Sequence, residues 1–268
     1  MKKHISAVVA IGMFLTFGTI AMAGTGAGTG IQKTSHDLSS LGAGANFGDS
    51  ADQGGQNRIC VYCHAPHNTI KADVAGGTWT YMPLWNHGKT TYVGQFNMYS
   101  NGSDVPGSTQ HQASSMNWGQ PGSVSLLCLS CHDGSVATNM YGSGSSIGGN
   151  DKKITDGTGR AAIGLNKDLS NHHPIGFDYD QVQAMDDEIR PSTAAGFLTD
   201  ATYGTKNNGP QHISDLLWLT AAGNNNLECV SCHDVHNTKN GGAKFTWVDD
   251  NNSRLCLTCH KKDGVDRP

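Results

Sequence analysis

The stretch CVYCHAPHNT, residues 60–69, has two cysteines three positions apart, Cys60 and Cys63, with His64 directly after the second. A further histidine, His67, follows three residues later. The same arrangement returns as CLSCH at 128–132, CVSCH at 229–233 and CLTCH at 256–260. These four motifs contain all eight cysteines of the 268-residue chain, so no cysteine is left for another purpose.

A CxxCH motif is the attachment signal of c-type haem. The two thiols add to the two vinyl groups of one haem, and the following histidine lies beneath the iron as its proximal ligand. The sequence therefore predicts four covalently bound haem c groups. The attachment residues are Cys60, Cys63, Cys128, Cys131, Cys229, Cys232, Cys256 and Cys259, and the proximal ligands are His64, His132, His233 and His260.

Two other uses of eight cysteines are four disulfides and zinc binding by paired CxxC segments. Neither use requires a histidine after every second cysteine. Four such histidines have a chance probability on the order of 10⁻⁵ if histidines are placed at random. The pattern therefore favours haem.

The motifs form a doubled repeat. CVYCHAPHNT at 60–69 returns as CVSCHDVHNT at 229–238, and LCLSCH at 127–132 returns as LCLTCH at 255–260. This order predicts duplication of a dihaem unit. We expect one tetrahaem domain over 24–268, built from repeats at about 34–135 and 172–262.

The first residues predict export. Lys2 and Lys3 precede an apolar run that ends in the small-residue stretch AMA at 21–23, so residues 1–23 are expected to be a signal peptide that is removed. Removal of two lysines changes the formal charge from −4 to −6. A net negative chain argues against nucleic acid as a partner. No later segment is apolar enough to predict a membrane span. We expect an extracellular or outer-membrane-surface location, with the periplasm as the alternative.

The composition predicts a fold whose core is not made of side chains alone. Only 37% of the residues are apolar and 35 are glycine, so the chain buries little hydrocarbon for the entropy that it loses. A stacked chain of four haems can supply the missing core. We expect mostly irregular structure, with short helices at 123–134, 180–190, 213–223 and 253–262 and few strands, at 78–82 and 245–248.

Histidines outnumber the positions that remain on the irons. Of 13 histidines, His4 lies in the predicted signal peptide and four are proximal, which leaves eight for four distal positions. Neutral imidazole is a good iron ligand. Sequence context favours five candidates, one of which must be surplus: His36, His67, His87, His173 and His236.

His67 and His236 share a constraint. Each lies three residues after a proximal histidine, and three residues span at most about 10 Å, too little to reach around a haem to its other face. If either ring binds an iron, that iron therefore belongs to a different haem; the alternative is a solvated side chain. The haem at Cys256 and Cys259 is a candidate for His236, whereas His67 is compatible with a haem in its own or a neighbouring chain.

The series SHDLSS, CVYCHAPHN, PLWNH, LCLSCHDGSVA, HPIGFDY, CVSCHDVHN and LCLTCHK resembles the doubled-CxxCH multihaem cytochromes of metal-reducing bacteria. The resemblance runs from about 34 to 262. With four haems in this order, the chain is similar to the tetrahaem cytochromes of the outer-membrane cytochrome E type, which form extracellular conductive filaments.

That resemblance implies a mostly coil fold, two histidine ligands on every iron and a continuous chain of haems. It implies a partner of the same kind, with His67 ligating a haem of the adjacent subunit. Other c-type cytochromes would be donors, and extracellular acceptors such as metal oxides would receive the electrons.

Three functions compete. An electron carrier with no catalytic residues needs two strong ligands on every iron. A multihaem reductase needs a five-coordinate iron, often marked by an altered motif, and all four motifs here are of the ordinary type. A soluble periplasmic tetrahaem shuttle would share every haem feature but would not polymerise.

Overall fold

A computed structural model describes the protein from residue 30 to residue 261, with gaps. The described residues are 30–48, 58–67, 69, 71, 78–99, 119–142, 145–146, 150–194, 212–236, 244–248, 250 and 253–261. The predicted signal peptide at 1–23 lies outside them.

Short helices are the main regular elements. The α-helices are α1 (Ser123–His132), α2 (Tyr179–Met185), α3 (Cys229–Cys232) and α4 (Arg254–Cys259). Short 3-10 turns lie at Ala45–Phe47, Cys60–Tyr62, Asp156–Ala161, Leu165–Lys167 and Ile213–Leu216.

The strands are two or three residues long and antiparallel. β1 (Met140–Tyr141) pairs with β2 (Ser145–Ser146). In a second sheet, β3 (Phe177–Asp178), β4 (Trp218–Leu219) and β5 (Asn225–Leu227) have the order β3-β5-β4. Phe177 lies opposite Leu227, and Trp218 lies opposite Asn226. The prediction of a mostly irregular fold with short helices and few strands is confirmed.

Individual elements agree less well with the sequence. The helices predicted at 123–134 and 253–262 form as α1 and α4, whereas the helix predicted at 180–190 ends at Met185. The helix predicted at 213–223 is wrong. Its first residues form a single 3-10 turn, and Trp218 and Leu219 then extend to pair with β5 around a tight turn in which Thr220 N–H donates to Asn224 at 2.9 Å. Pairing with a neighbouring strand overrides the helical pattern here.

The two predicted strands are also wrong. Residues 78–82 form no strand, and residues 245–248 contribute only one isolated bridge, between Thr246 and His233. Phe245 has a φ of 56°, outside the extended region, which prevents a continuous strand.

Two small apolar clusters form the side-chain core. The first packs around α1 and includes Trp79, Trp85, Phe96, Leu126, Leu127, Leu129 and Leu169, with Cys63 packed against it. The second comprises Phe177, Tyr179, Ile189, Ile213 and Leu227, with Cys259 packed against it. Each cluster therefore borders an attachment cysteine. Within the described residues, the helices are too short or too polar for any of them to cross a bilayer.

Candidate functional site

Each CxxCH motif lies on one helical turn. The amide of the histidine donates to the carbonyl of the first cysteine in three motifs: His64 to Cys60 at 2.8 Å, His233 to Cys229 at 3.1 Å and His260 to Cys256 at 3.0 Å. In the other motif, Cys128, Cys131 and His132 all lie within α1. A helical turn brings the two thiols to the same side, as attachment to one macrocycle requires.

None of the eight cysteines forms a disulfide, and consecutive motifs lie close to one another. Cys63 packs against the apolar cluster that contains Leu127 and Leu129 of α1, and the Cys229 amide donates to the Ser125 hydroxyl of the same helix at 3.0 Å. Cys232 and Cys259 lie in the wall of one apolar cleft. Each motif is thus adjacent to the next in chain order.

Cys60 and Cys256 are exposed, whereas four of the other thiols lie where burial disfavours the charged form. Burial raises the pKa of Cys63, Cys131 and Cys232 to about 12 each, and that of Cys259 to about 11. An environment that keeps a thiol neutral also suits a thioether and the apolar edge of a porphyrin. The residues present therefore fit covalent haem.

An apolar cleft opens beside the last two motifs. Cys232 and Cys259 lie in its wall together with Ile213, Leu216, Leu227 and Leu255. An apolar concavity that reaches two attachment thiols is the setting that a macrocycle edge requires.

Backbone carbonyls orient the proximal histidines. The Nδ1 atom of His64 lies 2.6 Å from the Pro83 carbonyl oxygen, that of His132 lies 2.7 Å from Ala161, and that of His233 lies 2.9 Å from Lys244. When Nδ1–H donates to a carbonyl, the lone pair is on Nε2, which is then free to bind a metal. Three of the four proximal rings therefore have the tautomer that iron ligation needs.

Three pairs of histidine rings have centre-to-centre distances compatible with binding one iron between them. Two metal–nitrogen bonds of about 2 Å, with about 1 Å from each nitrogen to its ring centre, place the centres of axial imidazoles about 6 Å apart. The ring centres are 6.1 Å apart for His36 and His132, 6.2 Å for His64 and His236, and 6.4 Å for His173 and His260. The interplanar angles are 71°, 19° and 73°. Rotation about the iron–nitrogen axis leaves this angle variable.

The pair of His64 and His236 differs from the sequence-based interpretation. The sequence offered the haem at Cys256 and Cys259 for His236 because that motif is nearest along the chain. The structure instead places His236 beside the proximal histidine of the first motif, whereas His173 lies beside His260 of the last motif. The first site is thus formed by both repeats.

His36 lies among other histidines. Its ring stacks on Phe245 with centres 4.5 Å apart and is hydrogen-bonded to the backbone of Val235. Burial, assisted by the nearby His132, lowers the pKa of His36 to about 4. The ring is therefore neutral at pH 7, the form that binds iron.

The other two distal candidates lie elsewhere. His67 is exposed. His87 is buried, with Nδ1 2.9 Å from the Gly88 oxygen and Nε2 3.0 Å from the Ala137 oxygen. Nε2 also lies 3.4 Å from the Cys131 sulfur. Neither ring belongs to the three pairs, and His233 has no partner at axial spacing among the described ring pairs.

A backing segment repeats behind the first and third motifs. Residues 83–86 lie against the motif at 60–64, where Asn86 N–H donates to Cys63 at 2.8 Å. Residues 244–247 lie against the motif at 229–233 in the same way, with Trp247 N–H donating to Cys232 at 3.0 Å. Equivalent residues of the two segments have φ values of 54° (Leu84) and 56° (Phe245). The similarity of 60–69 and 229–238 thus extends to a segment whose sequence did not reveal it.

Three buried aspartates were missed by sequence reasoning. Asp37, Asp133 and Asp234 each directly follow a histidine that the sequence predicts to be an iron ligand, and they are at most 4% exposed. Each accepts the amide two residues on, at Ser39 (3.1 Å), Ser135 (2.7 Å) and His236 (3.3 Å). These bonds fix the turn by which the chain leaves the histidine. The thrice-repeated His-Asp dipeptide was the available signal.

Comparison with known proteins gives one family match. The family described as the doubled CXXCH motif matches residues 222–265, which contain the third and fourth motifs. None of the curated proteins matches the chain. The matched segment indicates a c-type cytochrome of the multihaem type, an electron-transfer protein that binds haem c covalently through its CXXCH motifs.

Proposed function

We propose that the protein is an exported tetrahaem c-type cytochrome that carries electrons along a row of four haems and assembles into an extracellular filament. The succession of attachment motifs carries this proposal, because the first motif packs against the helix of the second, that helix is hydrogen-bonded to the third motif, and the third and fourth motifs share an apolar cleft. Haem c supplies one-electron oxidation and reduction when bound. The chain attaches the four groups, ligates their irons and encloses their edges.

The histidine pairs favour a carrier over a reductase. His236, His36 and His173 are assigned as distal ligands for the irons of the first, second and fourth motifs, on the basis of their 6.1–6.4 Å ring spacings. An iron with two strong protein ligands has no open position for a substrate. We therefore assign no catalytic residue.

For the third iron, whose proximal ligand is His233, two candidates for the distal ligand remain: His67 and His87. His87 is buried, and both of its ring nitrogens face backbone oxygens. His67 is exposed and cannot reach the far face of its own haem. We assign His67 to an iron of a neighbouring copy, as the resemblance implies, so that a coordinate bond joins subunits. Donors would be other c-type cytochromes, and acceptors would be extracellular materials such as metal oxides.

Three measurements on protein released from the cell surface test this function. Mass and pyridine haemochrome spectra should give four haems per chain, and electron paramagnetic resonance should give low-spin iron alone. Electron microscopy should show filaments. Fewer than four haems refutes the tetrahaem carrier, and a high-spin fraction that binds CO indicates a reductase. Single particles with four low-spin haems indicate the soluble shuttle.

The His67→Ala variant tests the subunit joint, with His212→Ala as control, because His212 is another exposed histidine. Loss of filaments together with one high-spin iron per chain is expected for His67→Ala alone. Filaments in which every iron is still six-coordinate would place the joint elsewhere.

A further inference from the structure

A buried carboxylate lies where the two repeats meet. Glu228 is 1% exposed and directly precedes Cys229, the first cysteine of the third motif. Both of its oxygens accept the Gly122 amide, at 3.1 and 3.2 Å, and its Oε2 accepts the Ser125 hydroxyl. Gly122 and Ser125 belong to the start of α1, the helix that carries the second motif.

The second repeat also donates a hydrogen bond to the first. The Cys229 amide donates to Ser125 Oγ at 3.0 Å, and Ser125 is 0% exposed. The carboxylate, the hydroxyl and the amide thus form one chain of hydrogen bonds between the repeats. Cys128, the first cysteine of the second motif, lies one helical turn beyond Ser125 on α1.

The backbone at this junction lies too close to its neighbours, which include the Glu228 carboxylate, to leave room for side chains. A Cβ atom on Gly122 would lie 2.5 Å from Glu228 Oε1, and one on Gly119 would collide with the Gly176 carbonyl. Segment 119–122 of the first half can therefore approach the second repeat only because both positions are glycine. Buried hydrogen-bonded contacts of this density hold two segments in a single arrangement.

We propose that Glu228 is a positioning residue that fixes the distance and angle between the second and third haems. This inference rests on the proposed function, since it requires haems at both motifs. Glu228 binds the N-terminal turn of α1 and orders the turn that begins at Cys229, so a change in its side chain alters the relative placement of the two attachment turns. Electrons would cross from one repeat to the other between the second and third haems, so the spacing of these two haems determines whether the repeats form one electron path.

The test uses the full-length holoprotein and the Soret circular dichroism spectrum. Neighbouring haems couple to give a two-signed Soret signal that depends on their distance and angle. Glu228→Ala should retain four low-spin haems but lose part of the amplitude of this signal and alter the separation of the midpoint potentials. Glu228→Gln keeps the size and one acceptor oxygen, and it should restore part of the signal.

Asp180→Ala is the matched control. Asp180 also accepts a side-chain hydrogen bond, from Asn225 at 2.7 Å, but both residues lie in the second repeat, so its Soret signal should equal that of the wild type. If Glu228→Ala does not mature, Glu228→Gln and Gly122→Ala decide the question. Wild-type Soret spectra and potentials in both variants would overturn the proposal. The wild-type haem count and spin state test the proposed function separately.

Discussion

At the scale of single residues, the attachment residues can be read from local sequence, whereas the distal histidines depend on contacts between distant segments. The eight cysteines and four proximal histidines follow from a five-residue pattern, because attachment depends on one helical turn. The distal histidines depend on which segments meet, so the sequence could nominate five but could not pair them with irons. His64 and His236, in different repeats, show this most clearly.

The pairing predicts a single-site spectroscopic change. His236→Ala should leave the iron of His64 with one protein ligand, so one of the four irons becomes high-spin and binds CO. Electron paramagnetic resonance and CO-difference spectra measure this change. His212→Ala, another exposed histidine of the second repeat, is the control and should remain fully low-spin. Four low-spin irons in His236→Ala would refute the pairing.

His36 predicts a pH dependence of stability. Because burial lowers its pKa from an ordinary 6.5 to about 4, the folded state disfavours the protonated ring. Its contribution to stability is full above pH 6.5 and is lost as pH falls towards 4. Iron ligation, which also requires the neutral ring, acts in the same direction. The loss amounts to about 2 to 3 kcal/mol.

Denaturant unfolding at pH 7, 5.5 and 4 measures this effect. The wild type should lose more stability on acidification than His36→Gln, whose amide does not titrate in this range. Parallel losses in the two proteins would show that His36 is not responsible.

At the scale of elements, short turns held by side chains replace long helices and sheets. The sequence placed α1 and α4 correctly because each surrounds a CxxCH motif with apolar neighbours. It failed at 213–223 and 245–248, where pairing with β5 and the positive φ of Phe245 decide the conformation. Neither cause is visible in local periodicity.

The turn after His233 gives a prediction at this scale. Asp234 accepts the His236 amide, so Asp234→Ala should loosen the segment that carries His236 and cost about 1 to 2 kcal/mol. Part of the first iron's low-spin signal should be lost as well. Asp234→Asn retains an acceptor oxygen and should restore most of the lost stability and most of the low-spin signal.

Asp168 is the matched control because it makes the same bond, to the Ser170 amide at 2.9 Å, on the surface. Asp168→Ala should leave the spin state unchanged. Thermal unfolding and electron paramagnetic resonance of the three variants give the comparison. Equal spectra for Asp234→Ala and Asp168→Ala would contradict a positioning role for Asp234.

At the scale of the whole molecule, the proposed haem row would supply the core that the side chains lack. The described residues contain two small apolar clusters, each bordering an attachment cysteine, and the longest helix has ten residues. Clusters this small offset little of the conformational entropy of the segments that they order, so we expect folding to require haem. The composition alone indicated that buried hydrocarbon is scarce, whereas the structure was needed to see which motifs lie next to one another.

The effect of removing one haem on the folded structure should therefore depend on the position of that haem in the row. The second motif lies on α1, a helix of the first repeat that contacts the second repeat through Glu228 and Cys229, whereas the fourth motif is the last along the chain. Replacing Cys128 and Cys131 by serine should make both repeats sensitive to protease. The same change at Cys256 and Cys259 should expose mainly the second repeat. Limited proteolysis with mass mapping of the fragments distinguishes these outcomes, and equal fragment patterns from the two variants would show that the second site does not join the repeats.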